Sequence, residues 1–598
     1  MNRIAQLLLL SVSCLSLSPA QDRPEITAHE LRDHIRFLAS DKLEGRSAGS
    51  HGEKLASEYI AKQFQRLGLK GPGSGGYYQK FDFTAGVALG NNNSTVISAG
   101  ESRKQLAVNS DFRPMGFSST GSFEGDVVFA GYGISLPEKQ YDDYEGIDVS
   151  GKAVMILRYH PEGDNPHSEF GVGAALRYKT AKAKEKGAKA VVFVTGPADN
   201  ENDVLAELSY DQSMGDAGIL AVTMTRQAAE HLLGSATIAS LQQEINSEKK
   251  PRSSPLSGQH ISISTEVLKV QKNGTNVLGF LEGFDPQLRK EIVIIGAHYD
   301  HLGMGGSGSG SLSPDTLAVH NGADDNASGT AGLLELAELL ASRKSELRRS
   351  LLFIAFSGEE RGLLGSAHYV KNPLLPLDQS VAMLNMDMIG RLNKNKLIVY
   401  GIGTSPGFEL LVTSHNVDST FDLRIVKDGF GPSDHSSFYG SGLPVFHFFT
   451  DLHSDYHKPS DDWDKINYDG MTEVLNFVAS IALELNRADD RPPYVRVEMP
   501  RQPAASGQGR VRSYTGTIPD FGEQVEGMKL SGVTDGSPAA RAGLQAGDVI
   551  VKFGTIEIKN LYDYTFALGE YKPGDEVDVV VKRGTETKIF RLTIGRRN

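Results

Sequence analysis

The sequence predicts an α/β protein built on a mostly parallel mixed sheet sandwiched by helices, with two smaller modules attached. Three observations predict it. Four continuous apolar runs, 292–297, 351–356, 381–386 and 444–449, show no polar alternation, as expected of strands buried on both faces of a sheet. Helical segments lie between or after them, at 330–341 and 471–485; in the second, Met471, Leu475, Val478, Ala482 and Leu485 share one face. A Gly-punctuated, β-rich stretch closes the chain after a Pro-rich one. Strands alternating with helices make a layered domain; the last stretch is a module of its own.

Taken in order, the chain opens on Met1-Asn2-Arg3, a mostly apolar stretch over 4–17 and Ser18-Pro19-Ala20. That pattern is an export signal over 1–20, cleaved after Ala20, and is too short to span a bilayer comfortably. No later run approaches eighteen apolar residues, so the mature chain is expected to be periplasmic or secreted and without a transmembrane segment. Residues 21–110 read as the N-terminal part of the main domain. Residues 27–70 read as helical: Leu55, Ala56, Tyr59, Ile60, Phe64 and Leu67 recur at helical spacing, and Gly68 ends the run. Residues 111–255 change texture. Short β-like runs at 127–134, 152–159 and 190–195, with an Ala/Lys-rich helix near 174–187, suggest a compact α/β insert. The polar segment 247–258, with Pro251 and Pro255, marks its end. The core follows over 256–490. Pro492, Pro493, Pro500 and Pro503 make 491–522 a linker, and 523–598 the last module.

Composition narrows the chemistry. A chain of 598 residues suggests roughly three to five domains. Lys+Arg 61 against Asp+Glu 74 leaves a net charge of −13, and no long basic block exists, so general nucleic-acid binding is excluded. The single cysteine, Cys14, permits no intramolecular disulfide. Lipid anchoring through it is not expected, because Ser11-Val12-Ser13-Cys14 lacks the Leu of the lipobox pattern. A metal site in the mature chain must use His, Asp and Glu.

Those residue types gather where the apolar runs end. The first run is followed by His298, Tyr299 and Asp300, the second by Ser357-Gly358-Glu359-Glu360, and the third by Asp387. The fourth leads into Asp451, His453, Asp455 and His457. Gly322-Ala323-Asp324-Asp325-Asn326 precedes the helix between the first two runs. Open α/β sheets form their sites at the carboxyl ends of strands. Imidazole and carboxylate without thiolate suit catalytic zinc. Two His with three carboxylates exceed one tetrahedral ion and suit two, with one carboxylate bridging; a bridging hydroxide would balance the charge.

The motifs His298-x-Asp300, Gly322-Ala323-Asp324-Asp325-Asn326-Ala327-Ser328-Gly329, Ser357-Gly358-Glu359-Glu360, Asn385-Met386-Asp387-Met388 and Tyr456-His457-Lys458-Pro459-Ser460-Asp461 resemble the M28 family of di-zinc exopeptidases over 265–490. Residues 30–85 resemble that family's N-terminal part. The resemblance implies the zinc exopeptidase fold and two Zn²⁺ per chain. It implies that Asp325 bridges both ions, that His298 and Asp387 complete one, and that Glu360 and His457 complete the other. Glu359 would be the general base acting on a zinc-bridging water, and Asp300 would hydrogen-bond His298 and fix its tautomer. The implied activity is an aminopeptidase acting on peptides. A carboxypeptidase of the same family, or a PDZ-led peptide-binding protein with little turnover, is the alternative.

Neighbouring residues receive plainer readings. Asp324 is a cap or turn residue, and His301 has a structural or loop role. His453 competes with His457, but Pro459 and Asp461 match the family pattern only around His457. Ser433-Asp434-His435 fits a recurrent family segment. The oxyanion donor stays open among Tyr439, His435 and zinc itself, with Phe430 near the place where some relatives carry Tyr. The Gly/Ser-rich stretch 303–311 reads as a flexible surface loop. The insert, through Ala130-Gly131-Tyr132-Gly133 and Gly187-Ala188-Lys189-Ala190-Val191-Val192, resembles a protease-associated domain. The last module, through the run from Gly536-Ser537-Pro538 to Gly547-Asp548-Val549-Ile550, resembles a PDZ domain, with Val525-Glu526-Gly527-Met528 as the loop for a C-terminal peptide ligand.

Overall fold

The computed structural model describes residues 25–497 and 513–596, apart from 164–167, 169, 211–215, 307, 314, 520–526, 535, 555, 559–563, 565–566 and 569–570. The expected export signal over 1–20, Cys14 within it, most of the Pro-rich linker, and Val525 and Glu526 of the expected carboxylate loop lie outside the described residues. Among the described residues no helix is long and apolar enough to cross a membrane.

The main sheet has eight strands in the order Tyr78–Leu89, Val267–Leu281, Ser350–Phe356, Ile292–His298, Ser380–Met386, Val445–Phe449, Lys396–Tyr400 and Asp422–Ile425. The four apolar runs are its four central strands, each within a residue of the expected bounds and all parallel to one another. Antiparallel strands flank them. Successive side chains of a strand point to opposite faces. Val293, Ile295, Ala297, Leu351, Phe353 and Ala355 pack on one face. Ile292, Ile294, Leu352 and Ile354 pack on the other. Helices Ala28–Leu38, His51–Arg66, Gly329–Ser342 and Tyr468–Arg487 contribute to the first layer, and Leu364–Lys371 and His435–Gly440 to the second. Covering on both sides is why these strands carry no polar alternation.

Two regions differ from the sequence reading. The helical stretch 27–70 is two helices separated by a 3₁₀ segment, Asp41–Arg46, in which Glu44, Gly45 and Arg46 have φ of 49°, 67° and 48°. The insert is also wider than 111–255. Its sheet runs Ser102–Leu106, Ser94–Ala99, Ser253–Thr265, Gly121–Ala130, Ala153–Leu157, Ala190–Val194, Leu220–Met224 and Phe112–Pro114, so 94–106 and 253–265 belong to it. Pro255, expected to mark a boundary, sits in the Ser253–Thr265 strand where the register shifts before His260. A residue without an N–H is tolerated in a sheet at such an irregularity.

The last module is β-rich, with Met528–Val533, Val549–Phe553, Glu576–Arg583 and Glu586–Thr593 around a core of its own. Its short helix Pro538–Ala542 begins at Ser537, whose Oγ accepts from Ala540 N, and ends at Gly543 with φ 92°. The Ser-Pro start and Gly stop of the motif are thus a helix N-cap and a left-handed C-terminal turn.

Candidate active site

The carboxyl ends of the central strands converge. His298 is the last residue of strand Ile292–His298, and its ring is buried. Its Nε2 lies 3.4 Å from Asp325 Oδ1 and 3.3 Å from Asp387 Oδ1. Asp387 follows strand Ser380–Met386 directly. His457 Nε2 lies 3.2 Å from Asp325 Oδ2 and 3.2 Å from Glu360 Oε2. One carboxylate, Asp325, therefore stands between two imidazoles, each with a second carboxylate beside it. Glu359 Oε2 is 4.0 Å from His298 Nε2. Two groups of possible ligand atoms result, one of His298, Glu359 and Asp387, the other of His301, Asp325 and Glu360.

Local structure fixes Asp325. Asp461 Oδ2 accepts from the amides of both Asp324 and Asp325, at 2.9 and 3.1 Å. Arg391 Nη2 holds the other oxygen of Asp461 at 3.3 Å. The Asp325–Asn326 peptide is cis, and Asn326 Nδ2 donates to Met386 O at 3.0 Å, tying this turn to the strand end that carries Asp387. Buried Arg46 holds the same region from behind. It donates to the carbonyls of Leu38, Tyr299, Asn321 and Gly322.

Other expected residues fall differently. The Asp300 carboxylate is 3.8 Å from His298 Nδ1, too far for a hydrogen bond. The nearer acceptor for that nitrogen is the backbone carbonyl of Asp300, at 3.2 Å. Asp300 Oδ1 instead accepts from Glu359 N at 3.1 Å, so the carboxylate anchors the Glu359–Glu360 segment. Asp324 Oδ1 accepts from Gly390 N at 2.7 Å, and its Oδ2 is 3.2 Å from His453 Nε2; both residues stand aside from the two groups. Tyr439 turns its hydroxyl to Val497 N at 2.7 Å. His435 stacks on His447, centroids 4.4 Å apart. The stretch read as a surface loop touches the site, since Gly310 O is 3.0 Å from His457 Nδ1, and just beyond it Leu312 N donates to His457 O at 2.9 Å.

Sequence reasoning missed three contributors. Arg46 lies in a segment read as ordinary helix, and His301 was set aside beside the more obvious His298. Tyr456 belongs to a quoted motif, but only the structure stacks its ring on His457, centroids 3.8 Å apart. Its hydroxyl is held well above its ordinary value, first by burial, then by Asp325 and Glu360. It therefore stays protonated.

The electrostatics describe a site that demands cations. Burial first, and neighbouring carboxylates after it, hold Glu359 well above the usual carboxylate range. Burial pushes Asp300 up to about 8 despite His298. Burial pulls the His457 imidazole down, but Glu360 and Asp325 outweigh it and lift it to about 11. Buried carboxylates crowded this closely must bind protons or cations. The spacing suits zinc. Tetrahedral zinc with bonds of about 2.0–2.2 Å holds its ligand atoms roughly 3.3–3.6 Å apart. The four His–carboxylate distances around Asp325, 3.2 to 3.4 Å, fit that spacing.

The sequence model of "Peptidase family M28" matches residues 276–482. The likeness to the M28 family therefore rests on this segment. All five ligand candidates lie within it. A PDZ domain match covers residues 510–594. Among curated proteins, the chain is similar to the aminopeptidase YwaD of Bacillus subtilis, 27% identical over 59% of this chain and 66% of that protein. Leupeptin-inactivating enzyme 1 of Streptomyces exfoliatus is 28% identical over 31% of this chain and 37% of that protein. The matched segments thus span less than two thirds of these relatives' lengths. Among solved structures, a zinc aminopeptidase from Bacillus subtilis aligns with 78% of this chain and 96% of its own, at 22% identity and a TM-score of 0.44.

Proposed function

We propose that the M28 domain is a di-zinc exopeptidase centre and that the protein is an exported aminopeptidase acting on peptides. The observation that carries this reading is the Asp325 carboxylate, whose two oxygens face two different imidazoles at 3.4 and 3.2 Å. Asp325 would be shared by both ions, His298 and Asp387 would hold one, and Glu360 and His457 the other. When bound, the ions supply a Lewis acid for the peptide carbonyl and lower the pKa of a water.

This chain's residues do the rest. Glu359 takes the proton from the attacking water and passes it to the leaving amine. Asp300, through the Glu359 amide, keeps that carboxylate beside His298. The Gly310 carbonyl takes the hydrogen of His457 Nδ1 and leaves Nε2 free for metal. The names of the curated relatives support action at the amino terminus. The leader over 1–20 supports export. In the same reading the insert is a protease-associated domain, and the PDZ domain takes C-terminal peptides.

The test is metal removal combined with one substitution. Protein stripped by a chelator should lose peptide hydrolysis and recover it with two equivalents of zinc. Glu359→Gln should keep both zincs and lose about 10²–10⁴-fold in kcat. Retained turnover in that variant would remove Glu359 from the mechanism.

A further inference from the structure

We propose that His301 is a positioning residue for the metal centre: it ties up one oxygen of Glu360, so that Glu360 presents only the other to the ion beside His457. This rests on the two-metal reading above.

The distances separate its role from that of the ligands. The paired imidazole and carboxylate atoms around Asp325 lie 3.2–3.4 Å apart, the separation of atoms sharing an ion. His301 Nδ1 to Glu360 Oε1 is 2.7 Å, too short for two ligands of one zinc and right for a charge-assisted hydrogen bond. His301 is 4.0 Å from Asp325 Oδ2. The two oxygens of Glu360 therefore have different partners, Oε1 with His301 and Oε2 with His457.

The ring is locked in place. Its side chain is wholly buried. It meets the His457 ring edge-on, at 5.8 Å and 74°. Its other face lies against Gly322, where an added Cβ would stand 2.5 Å from His301 Cδ2. Gly322 has φ 56°, so the Gly of the Gly-Ala-Asp-Asp-Asn motif makes both the turn and the room for this ring. A carboxylate oxygen accepts, so Nδ1 carries the hydrogen. Nε2 is left buried without a hydrogen-bond partner among the described residues. An unpaired buried nitrogen is destabilising, and an apolar side chain of similar size would avoid that. The bond to Glu360 explains why histidine stands here.

The consequence is a limit on coordination. A carboxylate with both oxygens free can bind an ion through both; one with Oε1 engaged binds through Oε2 alone. A coordination position is then left for water or substrate, as catalytic zinc sites require. Partners of this kind typically contribute 10–100-fold to metal affinity.

The experiment titrates metal-stripped protein with Co²⁺, reading affinity by chelator competition and geometry by the visible absorption of the ion. Wild type should bind two equivalents. His301→Leu should bind one equivalent about 10–100-fold more weakly, with weaker visible bands as coordination number rises. His301→Asn, which keeps an N–H near the Nδ1 position, should restore affinity and bands; His301→Gln, whose amide is displaced, should not. The Asn and Gln pair decides the matter even if the Leu variant fails to fold. Two bound equivalents in wild type, with all variants matching it in affinity and spectrum, would overturn the role of His301 alone. Failure of wild type to bind two equivalents would overturn the two-metal reading and this inference with it.

Discussion

At the residue scale, the buried histidines behind the candidate ligand layer carry a measurable signature. Burial, and secondarily His298, press the His447 imidazole down to about 3. Asn385 Nδ2 lies 2.8 Å from Ser433 Oγ and 3.2 Å from His447 Nδ1, so His447 accepts and has no place there for a second proton. His435, stacked on it, is also held well below its ordinary value by burial. A group depressed in the folded state contributes stability that is fully present above its unfolded pKa, about 6.5, and lost as pH falls toward the folded value. His447 should therefore cost stability as pH drops from about 6.5 toward 3, at up to about 1.4 kcal/mol per pH unit. Urea unfolding in chelator should show a shallower acid decline in His447→Phe than in the parent. Parallel declines would contradict a buried neutral His447.

At the element scale, what was legible in the sequence follows from burial. The four central strands were readable because both faces are covered and their residues are continuously apolar. The flanking strands of the insert were not. Ser94–Ala99, Ser102–Leu106 and Ser253–Thr265 are rich in Ser, Lys and Thr and partly exposed, so local pattern assigned them elsewhere. The ligand candidates stood out because His298, Glu360 and Asp387 stand at or soon after the ends of buried strands and Asp325 just before a helix, whereas His457 lies in a turn beyond the fourth strand. His301 was not, because its contact with Glu360 joins residues 59 apart. Arg46 was hidden for the same reason: it joins the 3₁₀ segment Asp41–Arg46 to the end of one strand and the turn before Asp325. Burial draws the Arg46 guanidinium down to about 10, against Asp325, so it remains charged at neutral pH. Arg46→Met would strand four carbonyls and should destabilise the fold by about 2–4 kcal/mol in denaturant titration. Arg46→Lys should recover only part of that, since an ammonium lacks the planar fork. Full stability in Arg46→Met would show that these carbonyls find other partners.

At the scale of the whole molecule, three hydrophobic assemblies serve different ends. The main sheet and its helices hold the strand ends that carry the site. The insert has its own sheet and core, and the C-terminal module that the PDZ model matches has another. Fold class was legible at this scale because the texture of the sequence changes along the chain. The division between insert and main sheet was blurred by the long strand pair Tyr78–Leu89 and Val267–Leu281, whose half-buried to exposed outer halves carry the chain from one sheet toward the other. The central claim concerns the reaction at the main sheet. Its most direct test follows, by mass spectrometry, the products of one short peptide offered to the zinc-loaded protein free at both ends, N-acetylated and C-amidated. The account predicts residues released one at a time from the amino terminus of the free and amidated forms, and no cleavage of the acetylated form. Cleavage of the acetylated peptide, with loss only on amidation, would contradict it and make the protein a carboxypeptidase.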